Sequence, residues 1–190
     1  MSQMTCIEHS TLTQGRAIGL EDPAVRTIST IGYEGALLAD FIATLKLAGI
    51  EFLIDVRELP QSRRPGFSKN ILASNLELQG IGYLHLRALG DPKHGREAAR
   101  RGDFDEFRSI FAAHMDRPEA MTALAIAGTE AGSHSSALMC FEQNPKECHR
   151  AIVADRLSVL YRFQVRHLGV RYGQAECRDH AGGTVAAIPN

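Results

Sequence analysis

Residues 27–56 read TISTIGYEGALLADFIATLKLAGIEFLIDV, and two changes of hydrophobic period inside this stretch decide the fold class. Thr27 to Ile31 is short, β-branched and apolar, which suits a buried strand. Gly32-Tyr33-Glu34-Gly35 then reads as a turn. Leu38, Phe41, Leu45 and Ala48 recur at helical spacing, and Gly49 closes that helix. Phe52 to Val56 is a second apolar strand.

The alternation continues down the chain. Ser68 is the expected N-cap of a helix carrying Leu72, Leu76 and Gln79 and ended by Gly80. Ile81 to Leu86 is a third strand, and a long polar loop runs from it through Arg101. Phe104, Phe107 and Phe111 share one helix face. Pro118 opens a short helix with Met121 and Leu124, and Gly132 to Ser135 is a loop. Ala137 to Phe141 is a fourth strand. Pro145 opens a helix with Val153, Leu157, Leu160 and Tyr161, and Gln164 to Leu168 is a fifth strand. Parallel strands need crossover connections, and helices supply them. The expectation is a single α/β domain over residues 27–172, a mostly parallel sheet of about five strands with helices on both faces, Rossmann-like or flavodoxin-like. Residues 1–26 read as an irregular extension and residues 173–190 as a flexible tail.

Composition narrows the class. The 190 residues are 44% hydrophobic and 23% charged, with a net charge of -1. Such a chain is no obvious binder of nucleic acid or acidic membrane as a whole. Aromatic content is 6% with no Trp, which leaves few stacking platforms for a nucleic-acid module. No apolar run approaches the roughly 18 residues of a membrane span, and no signal peptide is legible, so a cytoplasmic location is expected. Cys6, Cys140, Cys148 and Cys177 fit no disulfide framework.

In open parallel sheets, ligands bind beyond the carboxyl ends of the strands. The segments after strands one to four should therefore meet. After strand one, Tyr33 offers a ring and a hydroxyl, and Glu34 follows it. The turn is not GxGxxG, and its glycines allow close approach to a ligand or to another loop. After strand two come Asp55 and Arg57, then Arg63, Arg64 and Lys69, four cations within thirteen residues that end at a helix start. Guanidinium groups beside free helix N–H groups make an anion site. A solvated basic loop with Asp55 paired to an arginine is the plainer alternative. His85 ends strand three, as a proton carrier or as a satisfied core histidine. From Asp55 to Arg101 there are nine Lys or Arg against five Asp or Glu, a local basic excess.

The stretch after strand four is the richest: Cys140, Glu142, Cys148, His149 and Arg150, the last three expected in the first turn of a helix, where a thiolate is stabilised. Glu142 is a candidate catalytic carboxylate with His149 or His85 as proton carrier. Cys148 is a candidate nucleophile or redox thiol. Cys140, Cys148 and His149, with Glu142, are a candidate ligand set, but there is no CxxC and no HExxH, so no metal or other cofactor is assigned. The plainest alternative buries both cysteines as packing residues and pairs Glu142 with an arginine.

Four blocks carry a resemblance. They are Thr30-Ile31-Gly32-Tyr33-Glu34-Gly35; Asp55-Val56-Arg57 with Pro60, Ser62-Arg63 and Pro65-Gly66-Phe67-Ser68; Tyr83 to His85 with Leu89-Gly90; and Leu138 to Glu142 with Cys148-His149-Arg150. In this order, over about Thr27 to Leu160, the chain closely resembles domain-of-unknown-function family 488 of bacteria and archaea. The resemblance implies a small α/β domain whose strand ends matter, and it brings no settled activity. It points to Tyr33, Glu34, Asp55, Arg57, Arg63, His85, Glu142, Cys148, His149 and Arg150. The functional expectation is an enzyme, a hydrolase or group transferase, acting on an anionic small molecule or nucleic-acid fragment. Arg57, Arg63 and Arg150 would hold phosphate or carboxylate, with Lys69 a further substrate-binding candidate, and Glu142 or Asp55 would act with His85 or His149, while Cys148 is the reacting group of the thiol reading. A non-catalytic nucleic-acid-binding module and a thiol or metal protein centred on Cys148 are the alternatives.

Overall fold

The computed structural model describes residues 26–173. The extension and tail expected at 1–26 and 173–190, and with them Cys6 and Cys177, lie outside the described residues except for Arg26 and Gly173. Five strands form one sheet: β1 (Thr27–Gly32), β2 (Phe52–Asp55), β3 (Gly82–His85), β4 (Ser136–Cys140) and β5 (Gln164–Leu168). Six helices connect them: α1 (Leu38–Leu47), α2 (Lys69–Glu77), α3 (Lys93–Arg100), α4 (Phe104–Met115), α5 (Pro118–Ser133) and α6 (His149–Tyr161). Every strand pair is parallel, and the order across the sheet is β3-β2-β4-β1-β5.

Side chains alternate across the pleat and feed two cores. Ile31, Leu53, Ala137 and Met139 pack with Phe41, Leu45, Leu72 and Leu76 of α1 and α2. Ile28, Ile54, Leu138 and Cys140 pack with Phe107, Phe111, Leu124, Val153 and Leu157 of α4, α5 and α6. Helices therefore cover both faces, as the near-continuous apolar strands require. The chain moves outward from β1 to β2 to β3 on one face. It then returns on the other face to insert β4 between β2 and β1. This reversal opens a crevice over the carboxyl ends of the three central strands.

Three local expectations need correction. The stretch read as a polar loop through Arg101 holds a 3-10 turn at Arg87–Leu89 and then α3. Its buried face offers only Gly95 and Ala98, so the apolar signal is weak. The helix opened by Pro118 is not short; it runs sixteen residues to Ser133, into the stretch expected as a loop, because apart from Leu124 its buried face is built of the small residues Ala120, Ala123, Ala127, Gly128 and Ala131. Pro145 opens a 3-10 turn, Pro145–Glu147, and α6 starts only at His149, with Cys148 as its extended N-cap (φ -128, ψ 137). Cys148 thus precedes the first turn instead of lying within it. Ser68 does occupy the N-cap of α2, but its hydroxyl bonds the Ser62 backbone and makes no capping bond. Among the described residues, no helix is long and apolar enough to cross a membrane.

Candidate functional site

Adjacent parallel strands lie about 4.8 Å apart, so the ends of β2, β4 and β1 fall within roughly 10 Å of one another. Gly32 makes the tightest of these approaches. A Cβ there would sit 1.9 Å from the Glu142 carbonyl oxygen, so only glycine lets the β1 and β4 loops touch. Glu34 Oε2 accepts from the Gln143 backbone N–H at 3.1 Å and clasps the same two loops. Gly32 thus serves loop-to-loop packing.

Beneath the pocket lies a closed network. Asp55 is fully buried, and Arg57 grips it through Nε to Oδ1 at 2.9 Å and Nη2 to Oδ2 at 2.6 Å. Tyr83 donates its hydroxyl to the same Oδ2 at 2.6 Å. Arg57 Nη1 reaches the Tyr33 hydroxyl and the Phe67 carbonyl, both at 2.9 Å. Tyr33 stacks flat on Phe67 at 4.3 Å. Burial works against the Arg57 charge, but Asp55 outweighs it and holds the guanidinium protonated. Burial and Asp55 together raise the Tyr83 phenol well above its ordinary value. Asp55, Arg57 and Tyr33 therefore form a satisfied floor, as the plainer reading of the sequence had Asp55.

Above that floor, two adjoining cavities of about 740 and 430 Å³ share Arg63, Asp91, Arg96, Arg100, Glu142 and His149 in their walls. Arg57 and Glu142 both line the larger one, so the loops after β2 and β4 do meet. Arg63 and Arg100 are exposed and have no hydrogen-bond or ion-pair partner among the described residues. Arg96 is engaged with Glu58 and the Asp91 carbonyl. Phe141 presents a part-exposed ring to both cavities.

The reactive groups gather at one wall. The Cys140 and Cys148 thiols both donate to Glu142 Oε2, at 3.1 and 3.0 Å. Cys140 Sγ lies 3.7 Å from His149 Nδ1. On its far side His149 Nε2 meets the Val56 carbonyl at 2.8 Å, and since a carbonyl only accepts, that nitrogen carries a hydrogen. Arg150, only 1% exposed, donates Nη1 to the Glu142 carbonyl and Nη2 to the Gln143 carbonyl. It shapes the loop from behind and is not open to a substrate. Burial raises the Cys140 thiol, and Cys148 and Glu142 add to that. For Cys148, burial is outweighed by the hydrogen bond with Cys140 and the charges of His149 and Arg150, and its thiol is lowered. Glu142 is pushed up to about 7 by burial and by Cys148. For His149, burial is outweighed by Cys148 and the Val56 carbonyl, and its value rises to about 9.

Two expected participants stand apart. His85 Nε2 is tied to the Arg57 carbonyl at 2.8 Å and lines neither cavity, the satisfied-histidine alternative. Lys69 opens α2, exposed, with its backbone N–H on the Pro60 carbonyl, and also lines neither cavity. Sequence reasoning missed Asp91. It is 6% exposed, lines both cavities, and its Oδ1 is buried without a hydrogen-bond partner among the described residues. Burial, partly offset by His149 and Arg96, pushes it up to about 6. Its signal in the sequence was a carboxylate between Gly90 and Pro92 just after a strand, which reads equally well as turn chemistry.

These features define a doubly wound parallel α/β domain with a thiol–carboxylate–imidazole pocket at its central strand ends. The family model described as domain of unknown function DUF488 matches residues 37–157, more than half of the chain, and the protein belongs to that family. The Thr30–Gly35 block precedes the matched residues. Neither the curated proteins nor the solved structures yield a match.

Proposed function

We propose that the protein is an enzyme, a hydrolase or group transferase, that draws an anionic, phosphate-bearing substrate such as a nucleotide into the pocket over β2, β4 and β1. One observation carries this reading: Asp91 lines both cavities while nearly buried, and its Oδ1 has no hydrogen-bond partner among the described residues, a costly placement for a carboxyl. A value near 6 suits it to carry a proton at physiological pH. Arg63 and Arg100, unpartnered among the described residues, supply guanidinium groups for a phosphate. The Phe141 ring offers a face for a nucleobase. The Asp55–Arg57–Tyr33 floor keeps the walls rigid, and the Cys140–Glu142–Cys148–His149 wall supplies the reacting groups.

A non-catalytic nucleic-acid-binding module accounts for neither the orphaned Asp91 carboxyl nor the four-group cluster. The same proposal treats residues 27–172 as one domain in the reducing cytoplasm, where Cys140 and Cys148 stay as thiols. Calorimetry with inorganic phosphate and with a nucleoside monophosphate tests it. Saturable binding is expected, weakened about tenfold or more in Arg63→Ala/Arg100→Ala, since the loss of even one charge-assisted contact costs about tenfold. No binding by the native protein, or unchanged affinity in the double variant, would remove the proposal.

A further inference from the structure

We infer that Cys140, Glu142, Cys148 and His149 form a binding site for a single thiophilic divalent cation, Zn²⁺ by its donor chemistry. The inference deepens the catalytic reading of this pocket and rests on it for the ion's role, while binding itself stands on the geometry below.

The four donor atoms, one from each residue, all lie within 4.8 Å of one another. Around tetrahedral zinc, with bonds of about 2.3 Å to sulfur and about 2.0–2.2 Å to nitrogen or oxygen, neighbouring donors stand roughly 3.3–3.8 Å apart. The Cys140 Sγ to His149 Nδ1 distance is 3.7 Å, already that of a ligand edge. Both sulfurs stand closer than that to Glu142 Oε2, at 3.1 and 3.0 Å, as donors sharing protons do before a cation separates them. Two sulfurs, one imidazole and one carboxylate suit zinc, and they do not suit magnesium or calcium, which take oxygen ligands.

Independent features hold these donors in place. The Val56 carbonyl fixes a hydrogen on His149 Nε2 and so turns Nδ1 to the sulfurs, the orientation that outer partners give metal-binding histidines. Arg150 pins the carbonyls of Glu142 and Gln143, and Gly32 presses on the same loop. Three ligands, Cys140, Cys148 and His149, are buried, and only Glu142 is half-open to the cavity. Glu142 is therefore the ligand that a substrate oxygen can displace. A closed four-ligand site then becomes one with a position for Lewis-acid polarisation of a phosphoryl group.

The test uses the full chain, stripped of metal and titrated with Co²⁺ alone, then with Zn²⁺ alone. One equivalent of Co²⁺ is expected to give sulfur-to-cobalt charge-transfer bands and tetrahedral visible bands, both erased by Zn²⁺. Glu142→Gln keeps the sulfur bands with weaker affinity, and Cys140→Ser/Cys148→Ser loses them while circular dichroism reports its fold. Absence of the sulfur bands in the folded native protein overturns the inference, as does their persistence in the double cysteine variant. Phosphate calorimetry on the metal-free chain is read separately. Phosphate binding without any cobalt signal drops the metal and leaves the pocket's proposed function. A cobalt signal without phosphate binding does the reverse.

Discussion

Replacing Asp91 by Asn should make the protein more stable at neutral pH. The carboxyl is pushed up from 3.8 to about 6, first by burial and against the help of His149 and Arg96. At about 1.4 kcal/mol per unit, that displacement corresponds to about 3 kcal/mol of native preference for the protonated acid. Between those two values the native state binds more protons than the unfolded chain. Stability from this group is present in full below 3.8 and is lost as the pH rises through about 6. Asn keeps the shape and never ionises, but its amide needs a partner of its own, which trims the gain. Urea denaturation should therefore find Asp91→Asn more stable than the native protein by about 1–3 kcal/mol at pH 8, with the difference closing towards about pH 4. Turnover, once a substrate is in hand, should fall. A variant less stable at pH 8, or an advantage that ignores pH, would show that Asp91 is not held as a buried, unpaired acid.

Further outcomes follow from the same contacts. Arg57→Ala leaves Asp55 buried and uncompensated and should cost about 3–5 kcal/mol by denaturant titration; a ligand-only role for Arg57 would leave stability untouched. Arg63→Ala/Arg100→Ala touches no internal bond and should stay within about 0.5 kcal/mol per substitution of the native protein. Gly95→Ala would place a Cβ 2.1 Å from Asp91 Oδ1 and displace it. Overpacking of about 1–3 kcal/mol, offset by about 1 kcal/mol of helix propensity, leaves a small net stability loss in melting curves, with turnover reduced far more.

Much of the fold was legible because β1, β2 and β4 are mostly apolar and because Gly49 and Gly80 follow the ends of α1 and α2. Strands β1 to β5 fall within a residue or so of the periodic segments. The strand order was not legible, because insertion of β4 between β2 and β1 is a tertiary choice that no local period records. Helix α3 escaped because Gly90, Pro92 and Gly95 read as breakers and only Ala98 supplies a buried methyl. For the site, the rule that strand ends converge located Tyr33, Arg57, Glu142 and His149 together. It could not separate Arg57 and Arg150, whose terminal guanidinium nitrogens donate to internal acceptors, from Arg63 and Arg100, whose guanidiniums have no partner among the described residues. That distinction depends on burial and on which carbonyls lie within reach, and neither is written in spacing. Asp91 was passed over for the same reason: its lack of a partner exists only in three dimensions.

The pocket itself is most directly tested by titrating isotopically labelled protein with a nucleoside monophosphate and following backbone amides by nuclear magnetic resonance. Shifts concentrated on Glu34, Arg63, Asp91, Phe141, Glu142 and Gln143 are the predicted result, with α5 and β5 unmoved. Shifts scattered over the surface, or confined to a face away from the ends of β2, β4 and β1, would contradict the account.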